Sequence, residues 1–579
     1  MNLKIEIDAR NCNTRSGSIE IDDKKINIPN IIWYSSNRIK APEFAEIKIG
    51  EEIKVGGSFF YPEDCKFCIP ASLSYPYFLK EDFSSYLGAN EFFSFVSKYS
   101  KGKENKIYIM ANSKEVYSNP RDFVDCLTEI RNRIGYKVLY APAIANPVNL
   151  PILSYCGIDL FDSIDLILKS RKKIYFTSEG EFDLKDIEEY PCSCNYCRNG
   201  IKNFEDLLFH NYETFKNELL KIRKCIIDGN LSEYVESKIH FSTHLASIVR
   251  IMDIEKYEYQ EKRYPITGKG IIASPFSLYR ADISRFRNRV CSIYRKPASA
   301  KILLLLPCSS KKPYSKSKSH RKFMEIISLV RNRNVIHEVI ITSPLAVVPR
   351  ELEYTYPSAH YDISTIGYWD KEEIEIIKNC FKKFIEKNSY DVIINHLPQP
   401  LSSALEVDCV NTCVEHPTST LSLKKLLDAL KICEDFEYVS KEKRDYENAL
   451  SMLRFQFCRA EEFMKDCTVK GNFPNYRIYH NGEQVASFVP ERGLFSLTIE
   501  GGRKMGRNYW VEIENFYPKG SIFACGIIDA DEKIRAGDEV IVFHRDEVRA
   551  VGVAKMNYEE MIESQSGKAI KVRHHIQPS

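Results

Sequence analysis

The sequence predicts a multidomain α/β protein that closes on a small β-barrel, and three observations carry that expectation. The chain has 579 residues, more than the roughly 250–300 that one hydrophobic core usually serves. Up to about residue 434, short apolar runs alternate with amphipathic stretches, the rhythm of strands each followed by a covering helix. From about residue 506 the apolar runs shorten and glycines punctuate them, as tight turns between barrel strands require.

Composition narrows the class. With 44% hydrophobic and 28% charged residues the chain has ample apolar surface to bury, which excludes wholesale disorder. No apolar run approaches the ~20 residues that span a bilayer, and the polar start MNLKIEIDARN lacks the core of a signal peptide, so a cytoplasmic protein without a membrane partner is expected. The 82 basic against 79 acidic side chains leave a formal charge of only +3. Any nucleic acid must then be held by local patches instead of a global field. The 18 cysteines include one dense cluster with metal-ligand spacing, so reduced thiols are expected over a disulfide framework.

Residues 1–280 carry the runs KIYIM, KVLYAPAIA and KIHFSTHLASIV, taken as strands of a parallel α/β barrel or open sheet. Within this span Cys192, Cys194 and Cys197 fall in six positions, and His210 follows on the expected helix FEDLLFHNYETFKNELL. Three thiolates and one imidazole make a closed tetrahedral zinc site, structural because protein fills every position. The competing reading is three incidental cysteines. Cys65 and Cys68 form a lone pair without obvious partners, read as structural before metal-binding.

Residues 281–434 begin a second α/β domain at KILLLL, an all-apolar run typical of a strand buried on both faces. It runs into the polar loop PCSSKKPYSKSKSH (307–320) and then a helix with Phe323, Ile326, Ile327 and Val330 on one face. Ligands collect beyond the carboxyl ends of such strands. The loop offers a thiolate at Cys308, an amine at Lys312, hydroxyls at Tyr314 and Ser317 and a proton carrier at His320. A Lys/Ser-rich surface turn is the plainer alternative. Strands EVIIT and DVIIN follow, and the stretch 341–363 adds Arg350, His360 and Asp362 as substrate-binding candidates, each equally readable as a structural ion pair. Residues 435–505 read as a small α+β module, and 506–579 as the β-barrel.

Two resemblances attach to these residues. The runs GIDLFDS (157–163) and YFTSEG (175–180), the cysteine cluster and His210-Asn211 resemble the zinc-bearing half of the tRNA-guanine transglycosylase barrel. This implies a degenerate TIM barrel, with Asp162 at the position of that family's ribose-attacking nucleophile. The family's Asp-Ser-Gly-x-Phe-Gln segment has no counterpart in the first 130 residues, which leaves Asp162 open as a base contact, a fold residue or a relic. The second resemblance is more specific. Pro307, Cys308, Lys312, Pro313, Tyr314, Ser317 and His320 match the Pro-Cys-x3-Lys-Pro-Tyr-x2-Ser-x2-His signature of the archaeosine synthase family at every defining position. The tail resembles a PUA domain, in which Lys519, Arg535, Lys555, Lys571 and Arg573 are candidates for phosphate contact.

What the second resemblance implies is an enzyme acting on the D-arm of tRNA, at 7-cyano-7-deazaguanine in the fifteenth position. Cys308 is expected to attack the nitrile, His320 to protonate the nitrogen, Lys312 to hold the thiolate or the donor's carboxylate, and Tyr314 and Ser317 to orient the base; the rival is a non-covalent site in which Cys308 only packs and donor and nitrile are aligned. The amine donor is expected to be free lysine, with glutamine or ammonia as alternatives. No phosphate-binding loop is present, so ATP independence is expected. A radical-SAM lyase partner and a homodimer complete the implied picture. Ordinary base exchange and non-catalytic tRNA binding are the rival functions.

Overall fold

A computed structural model of the chain describes residues 3–21, 24–36, 38–49, 54–55, 58–59, 93–99, 101–102, 104–267, 269–364 and 368–577. Cys65 and Cys68 lie outside the described residues. The chain divides into two compact units, Met1–Pro265 with Glu559–Gly567, and Ile266–Tyr558 with Lys568–Ser579.

In the first unit, strands Phe93–Val96, Ile107–Met110, Val138–Tyr140, Leu160–Asp162, Asn30–Tyr34 and Ile47–Ile49 lie side by side and all parallel. Two short antiparallel strands, Lys54–Val55 and Ser58–Phe59, extend one edge. Among the described residues this sheet is open. Its core joins Ile32, Phe95, Ile107, Ile109, Val138 and Leu160. Helix Pro120–Ile134 shows how the covering layer is specified. Asn119 accepts from Arg121 N and Asp122 N, proline occupies the first turn, and Phe123, Leu127, Ile130 and Ile134 are buried at helical spacing.

The run KIHFSTHLASIV is not a strand. It forms a short 3-10 turn, Ile239–Phe241, and helix Thr243–Glu255, with Ser242 as N-cap and Leu245, Ile248, Val249 and Met252 buried. That 3–4 spacing and the Ser cap outweigh the short apolar run that predicts a strand here.

In the second unit, Ile302–Pro307 is the central strand of a five-stranded sheet ordered Ala346–Pro349, Ile336–Thr342, Ile302–Pro307, Val392–Asn395, Val410–Asn411. It runs parallel to both neighbours. Its apolar run is explained by cover on one face from Phe323, Ile327 and Val330 of the following segment and from Leu426 and Leu430. The helix Lys441–Phe457 and a four-stranded antiparallel sheet, Cys467–Lys470 to Leu494–Leu497, come next. A six-stranded sheet built from Trp510–Ile513 to Lys568–His575 ends the chain. Gly537 turns into its strand Glu539–His544 at φ +105°, where a β-carbon would meet the Ile266 carbonyl oxygen at 2.2 Å. No described helix is long and apolar enough to cross a membrane.

Candidate active site and metal centre

The reactive loop begins where the central strand ends. Pro307 pairs with Ile341 in the parallel ladder, so Cys308 emerges alongside Thr342, whose hydroxyl acts to lower the thiol's pKa. The Thr342 Oγ1 lies 2.6 Å from the Tyr361 hydroxyl, which lies 2.6 Å from the Tyr314 hydroxyl. Thr342, Tyr314 and Tyr361 are all buried, whereas Cys308 is half-buried. Lys312 projects its Nζ over the Tyr361 ring, 4.0 Å from the centroid. That Nζ is shut off from solvent and has no hydrogen-bond partner. Burial pushes the Cys308 thiol up, opposed by the Thr342 hydrogen bond and the Lys312 charge. Burial pushes the Lys312 amine down, opposed by Cys308 and Asp362. Burial therefore moves both the thiol and the amine toward their neutral forms.

Two other signature residues are placed differently. Ser317 caps helix Lys318–Ser328, its Oγ accepting from His320 N at 3.2 Å. His320 is fully buried, with Nδ1 2.8 Å from the Arg350 guanidinium and Nε2 3.0 Å from the Pro307 carbonyl. Because Arg350 only donates, Nδ1 accepts and Nε2–H donates to Pro307. Burial first, then the Arg350 charge, hold this imidazole well below its ordinary pKa. His320 is thus a neutral ring with both nitrogens engaged within the protein. Arg350 also binds Glu338 at 2.6 Å and Glu353 at 3.1 Å, so it braces the loop and is not free to hold a substrate. His360 is half-buried with an unpartnered Nδ1, and Asp362 is exposed one residue beyond Tyr361. The structure therefore brings together Cys308, Lys312 and Tyr314, adds Thr342 and Tyr361, and engages Ser317, His320 and Arg350 in bonds to the surrounding protein.

In the first unit, Cys192, Cys194, Cys197 and His210 bring their ligand atoms within 4.8 Å of one another and can hold a metal ion. His210 Nδ1 lies 3.4 Å from both the Cys194 and Cys197 sulfurs, close to the ~3.6 Å that tetrahedral zinc with ordinary bond lengths sets between nitrogen and sulfur. Its Nε2 lies 2.9 Å from the Phe176 carbonyl, which selects the tautomer whose Nδ1 lone pair faces the thiols. Cys192 and Cys194 sulfurs accept from the backbone N–H of Cys194 and Cys197. Tyr175 stacks on His210 at 4.0 Å.

Asp162 ends strand Leu160–Asp162 and is fully buried. One carboxylate oxygen accepts from the Tyr140 hydroxyl at 2.7 Å and Ala143 N at 2.9 Å, the other from Ile164 N at 2.9 Å. Burial outweighs these donors and raises its pKa to about 6. Ala143 also lines a cavity of about 300 Å³ that includes Asn146, Asp165 and Lys169.

Of the basic candidates in the tail, Lys519, Lys555 and Lys571 are exposed. Arg573 is held by the buried Glu539 carboxylate and the Leu497 carbonyl, and Arg535 donates to the Glu532 and Ile534 carbonyls. Both arginines therefore spend donors inside the module, Arg573 across it and Arg535 on its own turn.

Comparison with known proteins follows the same division. Residues 101–243 match the family described as queuine tRNA-ribosyltransferase, 283–430 a domain of unknown function (DUF5591), and 512–576 the PUA domain. The chain is 36% identical over 504 residues to the archaeosine synthase subunit alpha of Methanosarcina acetivorans, covering 82% of this chain and 80% of the relative. It is 33% identical over 490 residues to the archaeosine synthase of Haloferax volcanii, covering 81% and 82%. A tRNA-guanine(15) transglycosylase of Methanothermobacter thermautotrophicus is 27% identical over 465 residues, covering 76% of this chain and 64% of the relative. With a queuine tRNA-ribosyltransferase match at 101–243, a PUA match at 512–576, and an archaeosine synthase and an archaeosine synthase subunit alpha matched across most of both chains, the protein belongs to the archaeosine synthase family.

Proposed function

We propose that the protein adds an amine to the nitrile of 7-cyano-7-deazaguanine at the fifteenth position of tRNA, through a covalent intermediate on Cys308. The observation that carries this reading is the pairing of a half-buried thiol with a buried amine that has no hydrogen-bond partner. A nitrile carbon is electrophilic but slow toward amines, so it needs a stronger nucleophile and a proton for its nitrogen.

Lys312 supplies the proton route that His320 does not. The neutral amine takes the Cys308 proton, the thiolate forms a bond to the nitrile carbon, and the carbon–nitrogen triple bond becomes double as its nitrogen takes the proton back from the ammonium. The product is a thioimidate with Lys312 neutral again. An amine donor then attacks the same carbon, and the thiol leaves with a proton from that amine, giving an amidine. Free lysine reacting through its side-chain amine is the favoured donor, and no ATP is consumed. A lysine adduct requires a later carbon–nitrogen cleavage, the task of a radical-SAM lyase partner.

Zinc is the ion we assign to Cys192, Cys194, Cys197 and His210. Four protein ligands leave no open position, so the ion supplies folding energy to the first unit and no chemistry. Metal analysis of the purified chain should return one zinc. Cys197→Ser should lose it together with the thermal stability of that unit; a stable, metal-free protein refutes the assignment.

The functional test is incubation of nitrile-bearing tRNA with labelled lysine, glutamine and ammonium separately, followed by mass analysis of the nucleosides and of denaturant-quenched protein. Lysine incorporation and a Cys308 adduct are expected. Release of labelled guanine from unmodified tRNA, with neither product, would establish base exchange instead.

A further inference from the structure

Thr342 and Tyr361 belong to no motif and carry no charge, yet both are buried, and Thr342 lies one step past the register partner of Pro307. We propose that they are positioning residues for Cys308, joined with Tyr314 in a chain of hydroxyls, each donating to the next, whose last hydrogen is aimed at the sulfur. The inference rests on Cys308 being the nucleophile.

Register and distance support it independently. The parallel ladder sets Pro307 opposite Ile341, which brings residues 308 and 342 side by side at the strand ends. The oxygens of Thr342, Tyr361 and Tyr314 follow at 2.6 Å each, the short end of the hydroxyl–hydroxyl range. All three residues are at most 3% exposed, so water does not compete for these bonds.

The chain has two settings. With a neutral thiol, S–H donates to Thr342 Oγ1, and the Thr342 hydrogen rests on the Ser343 carbonyl at 3.1 Å. With a thiolate, which only accepts, that hydrogen turns to the sulfur, Tyr361 donates to Thr342, and Tyr314 donates to Tyr361. No member of the chain is a base, so the thiol proton still goes to Lys312. The hydroxyls stabilise the sulfur anion and hold it at one point. The charged and titratable groups that act on the sulfur are Lys312 from its own loop, Glu373 from helix Lys371–Lys387, and the Tyr314 and Tyr361 phenols.

The test uses the full chain. The rate of iodoacetamide alkylation at Cys308 is followed against pH by peptide mass spectrometry, with thermal unfolding of each variant measured first. Thr342→Val is expected to raise the alkylation midpoint by about one pH unit, an about tenfold loss of thiolate below it. Tyr361→Phe, which keeps the ring under Lys312, raises it less, and Thr342→Ser restores it. Turnover falls in step with kcat while KM for tRNA holds. Unmoved midpoints in both Thr342→Val and Tyr361→Phe overturn the proposal, and if Thr342→Val does not fold, Tyr361→Phe decides alone. A raised midpoint together with normal turnover in Cys308→Ala upholds the hydroxyl chain and removes the nucleophile; unmoved midpoints with a dead Cys308→Ala do the reverse.

Discussion

Two parallel strands in this chain end in a polar side chain where a site is expected, and they differ in what is left over. At the end of Leu160–Asp162 the carboxylate has three donors and is buried. At the end of Ile302–Pro307 the loop carries a half-exposed sulfur and an amine with no partner. A saturated group is held in place by the fold, whereas an unsaturated one is held ready for something that is not protein. The difference teaches that position at a strand end is insufficient, and that the residual hydrogen-bonding capacity separates scaffold from chemistry.

The sharpest way to break this contrast is to remove both groups. Cys308→Ala should cost on the order of 1,000-fold or more in amine addition, while Asp162→Asn costs only a few-fold at a temperature where it stays folded. Equal losses in single-turnover assays would erase the distinction. Lys312→Met should lose about 100-fold or more, and Lys312→Arg should fail to rescue, since a guanidinium does not give up its proton near neutral pH.

His320 extends the contrast to the signature itself. His320→Ala should destabilise the second unit by about 2–4 kcal/mol by stranding the Pro307 carbonyl and Arg350, measured by denaturant unfolding. The limbs of its pH–rate profile should stay where they are. A lost limb would return His320 to the chemistry.

Asp162 makes a pH prediction of its own. Folding raises its pKa from 3.8 to about 6, so its protonated form favours the fold. That contribution is complete below about pH 4 and gone once pH passes about 6, amounting to about 2–3 kcal/mol. Asp162→Asn should flatten the decline in stability across that window, and an unchanged slope would show that the carboxylate titrates normally. The smallest effect belongs to the tail. Lys519→Ala with Lys571→Ala should weaken tRNA binding a few-fold and reduce the salt dependence by about one counterion each. Arg573→Ala should instead act on stability, through Glu539.

Much of the candidate site was legible because it is local in sequence. The thiol and amine lie on one loop after one apolar strand, and the four metal-ligand candidates lie within nineteen residues, on two consecutive capped helices and the turn before them. The hydroxyl chain was not legible. Thr342 and Tyr361 come from 34 and 53 residues beyond Cys308, the first brought to it by sheet register and the second by its hydroxyl contacts from a separate strand pair. The partner of His320 was not legible for the same reason, since Arg350 reaches it from the turn after strand Ala346–Pro349. In the first unit the parallel order was legible from the apolar runs, but Ser242 turned one of those runs into a helix.

Arg350 has a consequence for anyone wishing to move this chemistry elsewhere. It ties Glu338, Glu353 and the imidazole whose other nitrogen pins the last carbonyl of the central strand. The fourteen-residue turn is consequently not a portable cassette. A graft onto a foreign sheet would arrive without its keystone, and the sulfur would wander unless both carboxylates and the guanidinium travelled with it.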